Sequence, residues 1–343
     1  MSQKVWLDGR LIPIEEANVP VKTHALHYGT GQFEGMKAYR ELEQNGQPTD
    51  RWNVWLMRPH VDRLFRSAKG YGSKLPFTQF EVAQAILDTV SANAPHQPPG
   101  INQLYIRPLV FRGEGLGVNP VKSPVRLAVM TEPWGRYVSD FLHHDGATAL
   151  ISSLTRPPAR FFAQGQLKGA AGYAIWGVMA KLEAIAAECS EAILWGEDAN
   201  GLRSLVDGTG MNLFVVHRDE RSAVTFTPEA VRWNILPGET QKFLIRDLTG
   251  ADQIPVYFDK FFPKNLVEAS EVFFSGTATE ITPVTAIKFR LASGELQFAE
   301  VGNGHPGPIT KQLREALLAA CHGQRPEYRR CLTPVPSLAT APV

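Results

Sequence analysis

The sequence predicts a mixed α/β protein with two domains. Its 343 residues suffice for two hydrophobic cores, and runs with strand-like and helix-like spacing of apolar residues follow one another along the chain. A stretch with Pro133, Gly135 and several polar residues interrupts that order at residues 132–147. The predicted parts are a small N-terminal α/β domain (1–134), an interdomain loop (135–145), a larger C-terminal domain (146–325) and a disordered tail (326–343).

The N-terminal domain is predicted to open with a β-hairpin, because two short apolar runs within residues 4–21 flank the turn residues Asp8 and Gly9. Further along, apolar residues recur either at helical spacing or in short strand-like runs. These patterns predict helices at 57–72 and 78–93 and strands at 102–111 and 125–132.

The C-terminal domain shows the same two patterns and ends in a different composition. Residues 328–343 are rich in Pro, Ala and Ser, so the tail is predicted to be disordered. The predicted strands are 147–156, 191–196, 212–218, 222–228 and 271–278, and the predicted helices follow Lys168, begin near Gly238 and span 309–323.

Composition and charge exclude several functional classes. Thirty-five basic against 34 acidic residues give a net charge of +1, which offers no basic surface for nucleic acid or an anionic membrane. The sequence has neither a signal peptide nor an apolar run of about 18 residues, so a cytoplasmic protein is expected. Cys189, Cys321 and Cys331 are odd in number and widely spaced, which favours structural roles over disulfides or zinc ligation.

Three motif-like patterns give no further functional prediction. The string "GNGHPG" at 302–307 has dinucleotide-motif letters, but Pro306 and Pro308 crowd it and no acidic residue follows at the required distance. His24 and His27 could share a helical face, yet no carboxylate or cysteine cluster completes a metal set. Serine hydrolase chemistry lacks its G-x-S-x-G elbow. The sequence therefore predicts no metal site.

The most informative residue is Lys168, which lies among Gly165, Gly169, Ala170 and Gly172. A solvated helix face usually alternates Lys with acidic and long polar side chains, and this segment offers neither. A lysine among small and apolar side chains has its ammonium form disfavoured, and the neutral amine can bond to a carbonyl. Pyridoxal phosphate is the common carbonyl partner, and an ordinary surface lysine is the alternative.

A pyridoxal phosphate site also needs a phosphate cup and a carboxylate for the ring nitrogen. In "LPGETQ", Gly238 precedes a helix whose first N–H groups, with the Thr240 hydroxyl, can bind an anion. The small residues of "SGTATE", 275–280, allow close approach of the backbone. Asp207 in "SLVDGTGMNLF" is the candidate that keeps the pyridine nitrogen protonated. Each has an ordinary alternative as a helix cap or turn residue, and their joint occurrence favours the cofactor.

Six blocks of the sequence resemble those of one enzyme family. They are "THALHYGTGQFEGMKAY", "RPHVDRLFRSAK", "YIRPLVFRGEGLGVNP", "LPGETQ", "SGTATEITPV" and "GNGHPGPIT". Over about residues 4–322, and in this order, the chain resembles the branched-chain amino acid aminotransferases within the fold-type IV pyridoxal phosphate enzymes. The resemblance implies a small N-terminal α/β domain, a larger pseudo-barrel domain, and an active site between them in a homodimer.

The resemblance assigns the cofactor contacts residue by residue. It implies that Lys168 bonds to the cofactor and then moves a proton between the substrate α-carbon and the cofactor. Tyr173 is implied to contact the phenolic oxygen and Arg58 the phosphate, whose oxygens suit the planar arginine fork. The implied cofactor-binding residues are Arg58, Lys168, Tyr173, Asp207, Gly210, Gly238, Glu239, Thr240, Gly276 and Thr277.

The same resemblance implies a substrate site that reads both an aliphatic chain and a carboxylate. Arg107 of "YIRP" is implied to receive the side-chain carboxylate of glutamate, and the amides of Thr277 and Ala278 to receive the α-carboxylate. The implied substrate-binding residues are Phe33, Tyr105, Arg107, Trp134, Tyr137, Thr277 and Ala278, with Tyr28 and Val118 contributed by the partner subunit.

The chain also departs from the family pattern in the stretch before Lys168, "TRPPARFFAQGQ" at 155–166, which lacks the usual small and polar residues and of which 159–162 lie outside the described residues, and at three single positions. Asp207 stands where glutamate is usual and is one methylene shorter, Gly172 replaces a more substantial polar residue, and Lys37 occupies a position that is often arginine. The expected reaction moves the amino group of a branched-chain or related hydrophobic L-amino acid to 2-oxoglutarate. The alternatives are a fold relative with altered chemistry (aminodeoxychorismate lyase, a D-amino acid or amine transaminase, or a pathway-specific aminotransferase) and a non-catalytic pyridoxal phosphate-binding protein.

Overall fold

The computed structural model of the protein describes residues 2–135, 137–158, 163–218, 222–251 and 254–337. The strands are β1 (Lys4–Leu7), β2 (Arg10–Pro13), β3 (Gly31–Phe33), β4 (Met36–Leu42), β5 (Pro48–Trp55), β6 (Gln103–Arg112), β7 (Val125–Pro133), β8 (Leu142–His143), β9 (Gly146–Thr155), β10 (Glu191–Glu197), β11 (Arg203–Gly208), β12 (Asn212–Arg218), β13 (Ala223–Thr227), β14 (Val256–Phe258), β15 (Glu271–Gly276), β16 (Glu280–Arg290), β17 (Leu296–Glu300) and β18 (Leu332–Pro334).

The α-helices are α1 (His24–Tyr28), α2 (Met57–Gly70), α3 (Gln79–Asn93), α4 (Ala170–Gly172), α5 (Met179–Ala186), α6 (Ala230–Trp233), α7 (Glu239–Phe243), α8 (Thr249–Ala251), α9 (Pro263–Val267) and α10 (Pro308–Cys321). Stretches of π-helix lie at Tyr173–Val178 and Leu244–Leu248. Short 3-10 helices lie at Ile14–Glu16, Ala94–His96, Ala163–Gln166 and Pro326–Cys331.

The chain divides into two compact units. Unit one comprises Met1–Gly135, Leu167–Ala171 and Leu318–Val343, and unit two comprises Arg136–Gln166 and Gly172–Leu317. Lys168 is therefore grouped with unit one, whereas the sequence placed it in the C-terminal domain.

Backbone contacts explain the grouping of the Lys168 segment. The Phe33 N–H donates to the carbonyl oxygen of Lys168 at 3.2 Å, and Gln32 and Gly169 form an antiparallel bridge. The Lys168 N–H donates to Oγ of Ser67, a residue of α2, at 3.0 Å. These bonds attach the backbone of Lys168 to β3 and α2, two segments that lie far from it in the sequence.

Unit one is built on an antiparallel sheet with the strand order β18-β5-β4-β6-β7-β1-β2, and β3 pairs with β6. The predicted opening hairpin is confirmed, with Leu7 opposite Arg10. The helices predicted at 57–72 and 78–93 are present as α2 and α3. They bury their apolar faces on the sheet in one core whose fully buried members include Met36, Val54, Leu64, Ile86, Leu104, Ile106 and Val129.

The predicted disordered tail is wrong for the part of it that the structure describes, residues 326–337. Tyr328 and Cys331 are buried in the 3-10 helix Pro326–Cys331. Strand β18 then pairs with β5, with Leu332 opposite Trp55. Composition favoured disorder, but pairing with the edge of β5 and burial of the Tyr328 ring stabilise an ordered tail here. Residues 338–343 lie outside the described residues.

Unit two contains a second sheet with the order β11-β10-β9-β16-β15-β12-β13-β14, in which β17 pairs with β16 and β8 with β9. In the series β11-β10-β9-β16-β15-β12, an additional bridge between Asp207 and Asn212 pairs the first strand, β11, with the last, β12. This bridge closes those strands into a ring, as expected for the pseudo-barrel that the resemblance implied. The site candidate Asp207 thus lies at the point of closure.

Several smaller features of unit two bear on the predictions. Strand β8 lies within the predicted interdomain loop and forms a hairpin with β9, since Leu142 pairs with Ala147. Helix α5 packs its small residues Ala180 and Ala184 against the sheet residue Leu150. The carboxylate of Glu271 accepts the Thr310 N–H at 2.8 Å and so caps α10.

The cysteines are all buried. Cys189, Cys321 and Cys331 are free thiols within the described chain. Burial raises the pKa of the Cys189 thiol to about 11, so it is held as the thiol at neutral pH. Among the described residues, none of the helices combines the length and the apolar character that a membrane span requires.

Candidate active site

In unit one, the side chain of Lys168 is 9% exposed and lies against an aromatic ring. Its Nζ is 4.9 Å from the centroid of the Phe33 ring. A side chain at the next residue, Gly169, would collide with the ring of Tyr71, so this position requires glycine. The small residues noted in the sequence therefore let the lysine backbone pass close to α2 while its amine reaches Phe33.

A buried ion pair supports the same region. Arg63 of α2 donates from Nε and Nη2 to the two carboxylate oxygens of Glu34 at 2.7 and 2.8 Å, and the two side chains are 4% and 0% exposed. Burial alone would raise the pKa of Glu34, but the Arg63 guanidinium, with smaller contributions from His60 and Lys168, holds it below its ordinary value. The pair thus holds Glu34, the residue after Phe33, in a fixed position with its carboxylate ionised.

Arg107 also contacts the Phe33 ring. Its guanidinium carbon is 4.5 Å from the Phe33 centroid, and Nη2 donates to the Tyr105 hydroxyl at 3.0 Å. Tyr105 in turn stacks on Trp134 at 4.4 Å between ring centroids. The structure thus brings together four predicted substrate residues, Phe33, Tyr105, Arg107 and Trp134, and places an arginine on an aromatic surface.

Three other candidates of unit one lie at exposed positions. Arg58 is exposed in the first turn of α2. Tyr28 is 41% exposed and Val118 is 80% exposed. The sequence assigned the last two to the site of a partner subunit, and the structure of the single chain leaves both side chains accessible for that role.

In unit two, the carboxylate of Asp207 is held by an arginine. Arg156 donates from Nε to Oδ1 of Asp207 at 2.7 Å, and the Asp207 side chain is 4% exposed. Burial raises the pKa of Asp207 to about 6, the charge and hydrogen bond of Arg156 oppose that rise, and the nearby Glu191 adds to it. Asp207 is therefore a buried carboxylate whose charge at neutral pH depends on a cationic partner.

The predicted phosphate turns lie beside Asp207 in the same unit. The Asn212 side chain donates to the Leu236 carbonyl at 3.0 Å, and a Cβ at Gly238 would collide with its Oδ1. A Cβ at Gly276 would lie 3.6 Å from the Gly210 carbonyl oxygen. Because glycine has no side chain, these segments can approach closely. The three turns that begin at Gly210, Gly238 and Gly276 therefore lie near one another.

Helix α7 extends the second of these turns. Glu239 and Thr240 are buried at its start, and the Glu239 carboxylate is paired with Lys242 Nζ at 2.8 Å. The Glu239 side-chain charge is thus compensated within the helix, next to the backbone N–H groups and the Thr240 hydroxyl that the sequence analysis predicted to bind an anion. Thr277 and Ala278 are half-buried in the turn between β15 and β16.

A small cavity of about 220 Å³ adjoins this region. Tyr173 begins the π-helical stretch Tyr173–Val178, and a Cβ at Gly210 would lie 3.6 Å from its ring. The cavity is lined by Tyr137, Tyr173, Gly177, Val178, Lys181, Leu182, Thr209 and Gly210. Within unit two, the structure therefore brings the predicted residues Tyr137, Tyr173 and Gly210 to one cavity.

Buried polar atoms test whether these residues fit pyridoxal phosphate. In the part of the chain that the structure describes, Nε of Arg107 and Oγ of Ser275 are buried without a hydrogen-bond partner. Such atoms are rare unless a ligand or water satisfies them. Ser275 immediately precedes the Gly276 turn, and Arg107 lies over the same ring as Lys168. Within unit one the mostly buried amine, and within unit two the buried carboxylate and the glycine turns, are each of the chemical kind that pyridoxal phosphate requires.

The sequence did not indicate four residues that support this arrangement: Arg156, Glu34, Arg63 and Asn212. Their partners lie from 24 to 51 residues away. The sequence does place Arg156 in "LTRPPAR", but a single arginine in a proline-rich run carries no signal about its partner. Glu34 and Arg63 fall within two of the family-like blocks, which is the one signal that singled out their surroundings.

Comparisons with known proteins identify the family of the chain. The family model for amino-transferase class IV matches residues 31–287. The chain is 32% identical to the branched-chain-amino-acid aminotransferase of Salmonella typhimurium over 335 residues, 97% of each chain. The crystal structure of the Escherichia coli branched-chain amino acid aminotransferase is 30% identical, with a TM-score of 0.82 over 98% of this chain and 100% of that one.

A further solved structure bears on the cofactor. The branched-chain amino acid aminotransferase of Thermobaculum terrenum, solved in its PLP-bound holo form, is 26% identical, with a TM-score of 0.77 over 98% of this chain and 99% of that one. The chain belongs to the class IV aminotransferases and, within them, to the branched-chain amino acid aminotransferase family. It is accordingly a pyridoxal phosphate-dependent enzyme with the fold of the fold-type IV group.

Proposed function

We propose that the enzyme transfers the amino group of a branched-chain or related hydrophobic L-amino acid to 2-oxoglutarate, giving the 2-oxo acid and L-glutamate. The observation that carries this proposal is the position of Arg107 over the Phe33 ring, with Tyr105 and Trp134 stacked beside it. An aliphatic side chain can lie on the rings, and a distal carboxylate can pair with the guanidinium. One pocket thus suits both substrates.

Cofactor contacts are proposed for residues of each unit taken by itself. In unit one, Lys168 and Arg58 would hold pyridoxal phosphate; in unit two, Tyr173, Asp207 and the turns at Gly210, Gly238 and Gly276 would do so. When bound, pyridoxal phosphate supplies an aldehyde that bonds to amines and a ring that accepts the electrons released with the α-proton. Asp207, held by Arg156, would keep the ring nitrogen protonated.

The proton transfer is proposed for Lys168. Its Nζ lies beside the Phe33 ring in a mostly buried position, where water competes little for the amine. From there Nζ would take the proton from the substrate α-carbon and pass it to the cofactor carbon that carries the amino group. The ion pair of Glu34 and Arg63 would serve as a rigid support for the neighbouring Phe33.

We also propose that the enzyme works as a homodimer through a surface of unit one. The segments 19–28 and 113–121 are joined there, since the His24 N–H donates to the Gly113 carbonyl at 2.8 Å. They expose apolar side chains, Val21, Leu26, Leu116, Val118 and Val121, and such a patch is typical of a protein interface. Light scattering should give a dimer mass, and Val118→Asp should shift the measured mass toward that of the monomer.

The proposed substrates of the enzyme are soluble metabolites, and we propose a cytoplasmic location for it.

A panel of amino donors with 2-oxoglutarate tests the proposed reaction. Leucine, isoleucine and valine should give L-glutamate at similar rates, whereas D-alanine and simple amines should be inactive. Chiral analysis of the glutamate formed separates this reaction from that of a D-amino acid transaminase. Activity with D-amino acids, or pyruvate release from aminodeoxychorismate, would instead assign the protein to a fold relative with altered chemistry.

A further inference from the structure

A cluster of imidazole and carboxylate groups lies in unit two, and none of its residues belongs to the proposed active site. One ligand atom from each of His143, His144 and Glu300 lies within 4.8 Å of the others. Nε2 of His143 is 3.0 Å from Oε1 of Glu300. His143 is half-buried, whereas His144 and Glu300 are exposed.

The backbone at the β8–β9 hairpin explains why two consecutive histidines point to one place. Neighbouring residues of a strand normally project to opposite faces. Here His143 pairs with Gly146 across the hairpin, and both residues of the turn have positive φ, 45° at His144 and 67° at Asp145. This turn rotates His144 out of the strand alternation, so its ring centroid lies 4.3 Å from that of His143.

A glycine-containing loop after β17 lies beside Glu300 in this cluster. The "GNGHPG" string forms a loop after β17, with positive φ at Gly302 and Gly304. A Cβ at Gly304 would lie 2.8 Å from the carboxyl carbon of Glu300, so this loop packs directly against the carboxylate that faces His143. The same loop stacks the ring of His305 on His144, 4.3 Å between centroids.

We propose that His143, His144 and Glu300 bind a divalent transition metal, for which Zn²⁺ is the test ion. Imidazole nitrogen with carboxylate oxygen is a donor set that suits zinc, whereas Mg²⁺ and Ca²⁺ prefer oxygen ligands alone. Three protein ligands leave a position for water, and the ring of His305 stacks on one of the ligands, His144. The metal would connect the β8–β9 hairpin to the end of β17.

Titration of Zn²⁺ into the holoenzyme by calorimetry tests this proposal. The parent should bind one Zn²⁺ per chain at this site, and His143→Ala, His144→Ala and Glu300→Gln should each weaken binding about tenfold or more. His96→Ala, which removes another exposed histidine, should leave the affinity unchanged. Co²⁺ in place of Zn²⁺ should give visible d–d absorption in the parent and the His96 variant alone.

The variants lie at partly or fully exposed positions, so loss of folding is checked directly by circular dichroism and by the unfolding temperature. Zn²⁺ should raise the unfolding temperature of the parent and leave that of His143→Ala/His144→Ala unchanged, because only the parent binds it in the folded state. Equal zinc affinity in the parent and the double variant, or no zinc binding by the folded parent, would overturn the proposal.

Discussion

Arg156 donates a 2.7 Å hydrogen bond from Nε to Oδ1 of Asp207, and this pair sets the charge of the carboxylate that we propose for the cofactor ring. The Asp207 side chain is thereby held by the Arg156 guanidinium, and its backbone is held by the pairing of β11. Burial raises the pKa of Asp207 to about 6 while Arg156 opposes the rise, so the arginine keeps the carboxylate ionised near neutral pH.

Replacing the carboxylate should slow the chemical step more than it weakens binding. We expect Asp207→Asn to lower the rate of α-proton removal at least about tenfold, equivalent to about 1.4 kcal/mol, because a neutral amide stabilises a protonated ring nitrogen less well. Asp207→Glu should be only partly active, since Arg156 and the strand pairing are fitted to the shorter side chain. Single turnovers with α-protiated and α-deuterated leucine measure that step. An unchanged rate and isotope effect in Asp207→Asn would remove Asp207 from the site.

Removing the arginine should shift the pH dependence of the enzyme. Arg156 lowers the pKa of Asp207, so Arg156→Gln should raise it, and the carboxyl should become neutral at a higher pH. We therefore expect the acid limb of the kcat profile to move toward neutral pH in this variant. Arg232→Gln is the control, because Arg232 pairs with Asp198 at 3.0 Å in the same unit. Equal profiles for the parent and Arg156→Gln would contradict the prediction.

Loss of Arg107 should separate the two half-reactions. Arg107→Ala removes a charge-assisted hydrogen bond worth about 1.5–3 kcal/mol from glutamate but not from leucine, so kcat/KM should fall about tenfold to a hundredfold more for glutamate. Arg126→Ala is the control, since that guanidinium pairs with Asp8 at 2.6 Å elsewhere on the same sheet. If Arg107→Ala reduced both half-reactions equally, the arginine would be reading the shared α-carboxylate.

The buried pair in unit one should be important for stability. Glu34→Gln leaves the Arg63 charge buried without its partner, and we expect a loss of about 3–5 kcal/mol in the free energy of unfolding, measured by urea titration. Glu327→Gln, which breaks the more exposed pair with Arg325, should cost no more than about 1 kcal/mol. A comparably small loss in Glu34→Gln would show that the pair does not stabilise the fold.

The stabilisation by this pair should also depend on pH. The pKa of Glu34 is below its ordinary value of 4.5 in the folded protein. Its stabilisation is therefore present above about pH 4.5 and is lost as the pH falls through the folded-state value. The parent should lose this part of its stability in acid, and Glu34→Gln should not.

The sequence predicted the elements whose signals are local. The helical spacing within α2 and α3 and the apolar runs of β6 and β7 required no knowledge of their partners. Strand β16 was missed because Pro283 interrupts its pattern, and proline is unfavourable in a central strand. The register explains the exception: Pro283 pairs with Phe273 of β15, and pairing with β9 begins only at Val284.

For the candidate site, which remains a prediction, the sequence indicated single residues and not their partners. The turn glycines and Lys168 were indicated by residue type and by the family-like blocks, and the structure places those of each unit together. The attachment of Lys168 to β3 and α2, and the pairing of Arg156 with Asp207, depend on contacts between distant segments, for which a single sequence carries no signal. The φ values that bring His143 and His144 together likewise depend on the hairpin.

The point of cofactor attachment decides whether the proposed site is correct. We predict that borohydride reduction of the holoenzyme, followed by peptide mass spectrometry, will find the phosphopyridoxyl group on Lys168. Lys168→Ala should lose this label along with turnover, while Lys181→Ala, which changes another lysine of the same chain region, should keep the label. A label on Lys37, Lys181 or any lysine other than Lys168 would contradict the assignment of Lys168 as the cofactor lysine.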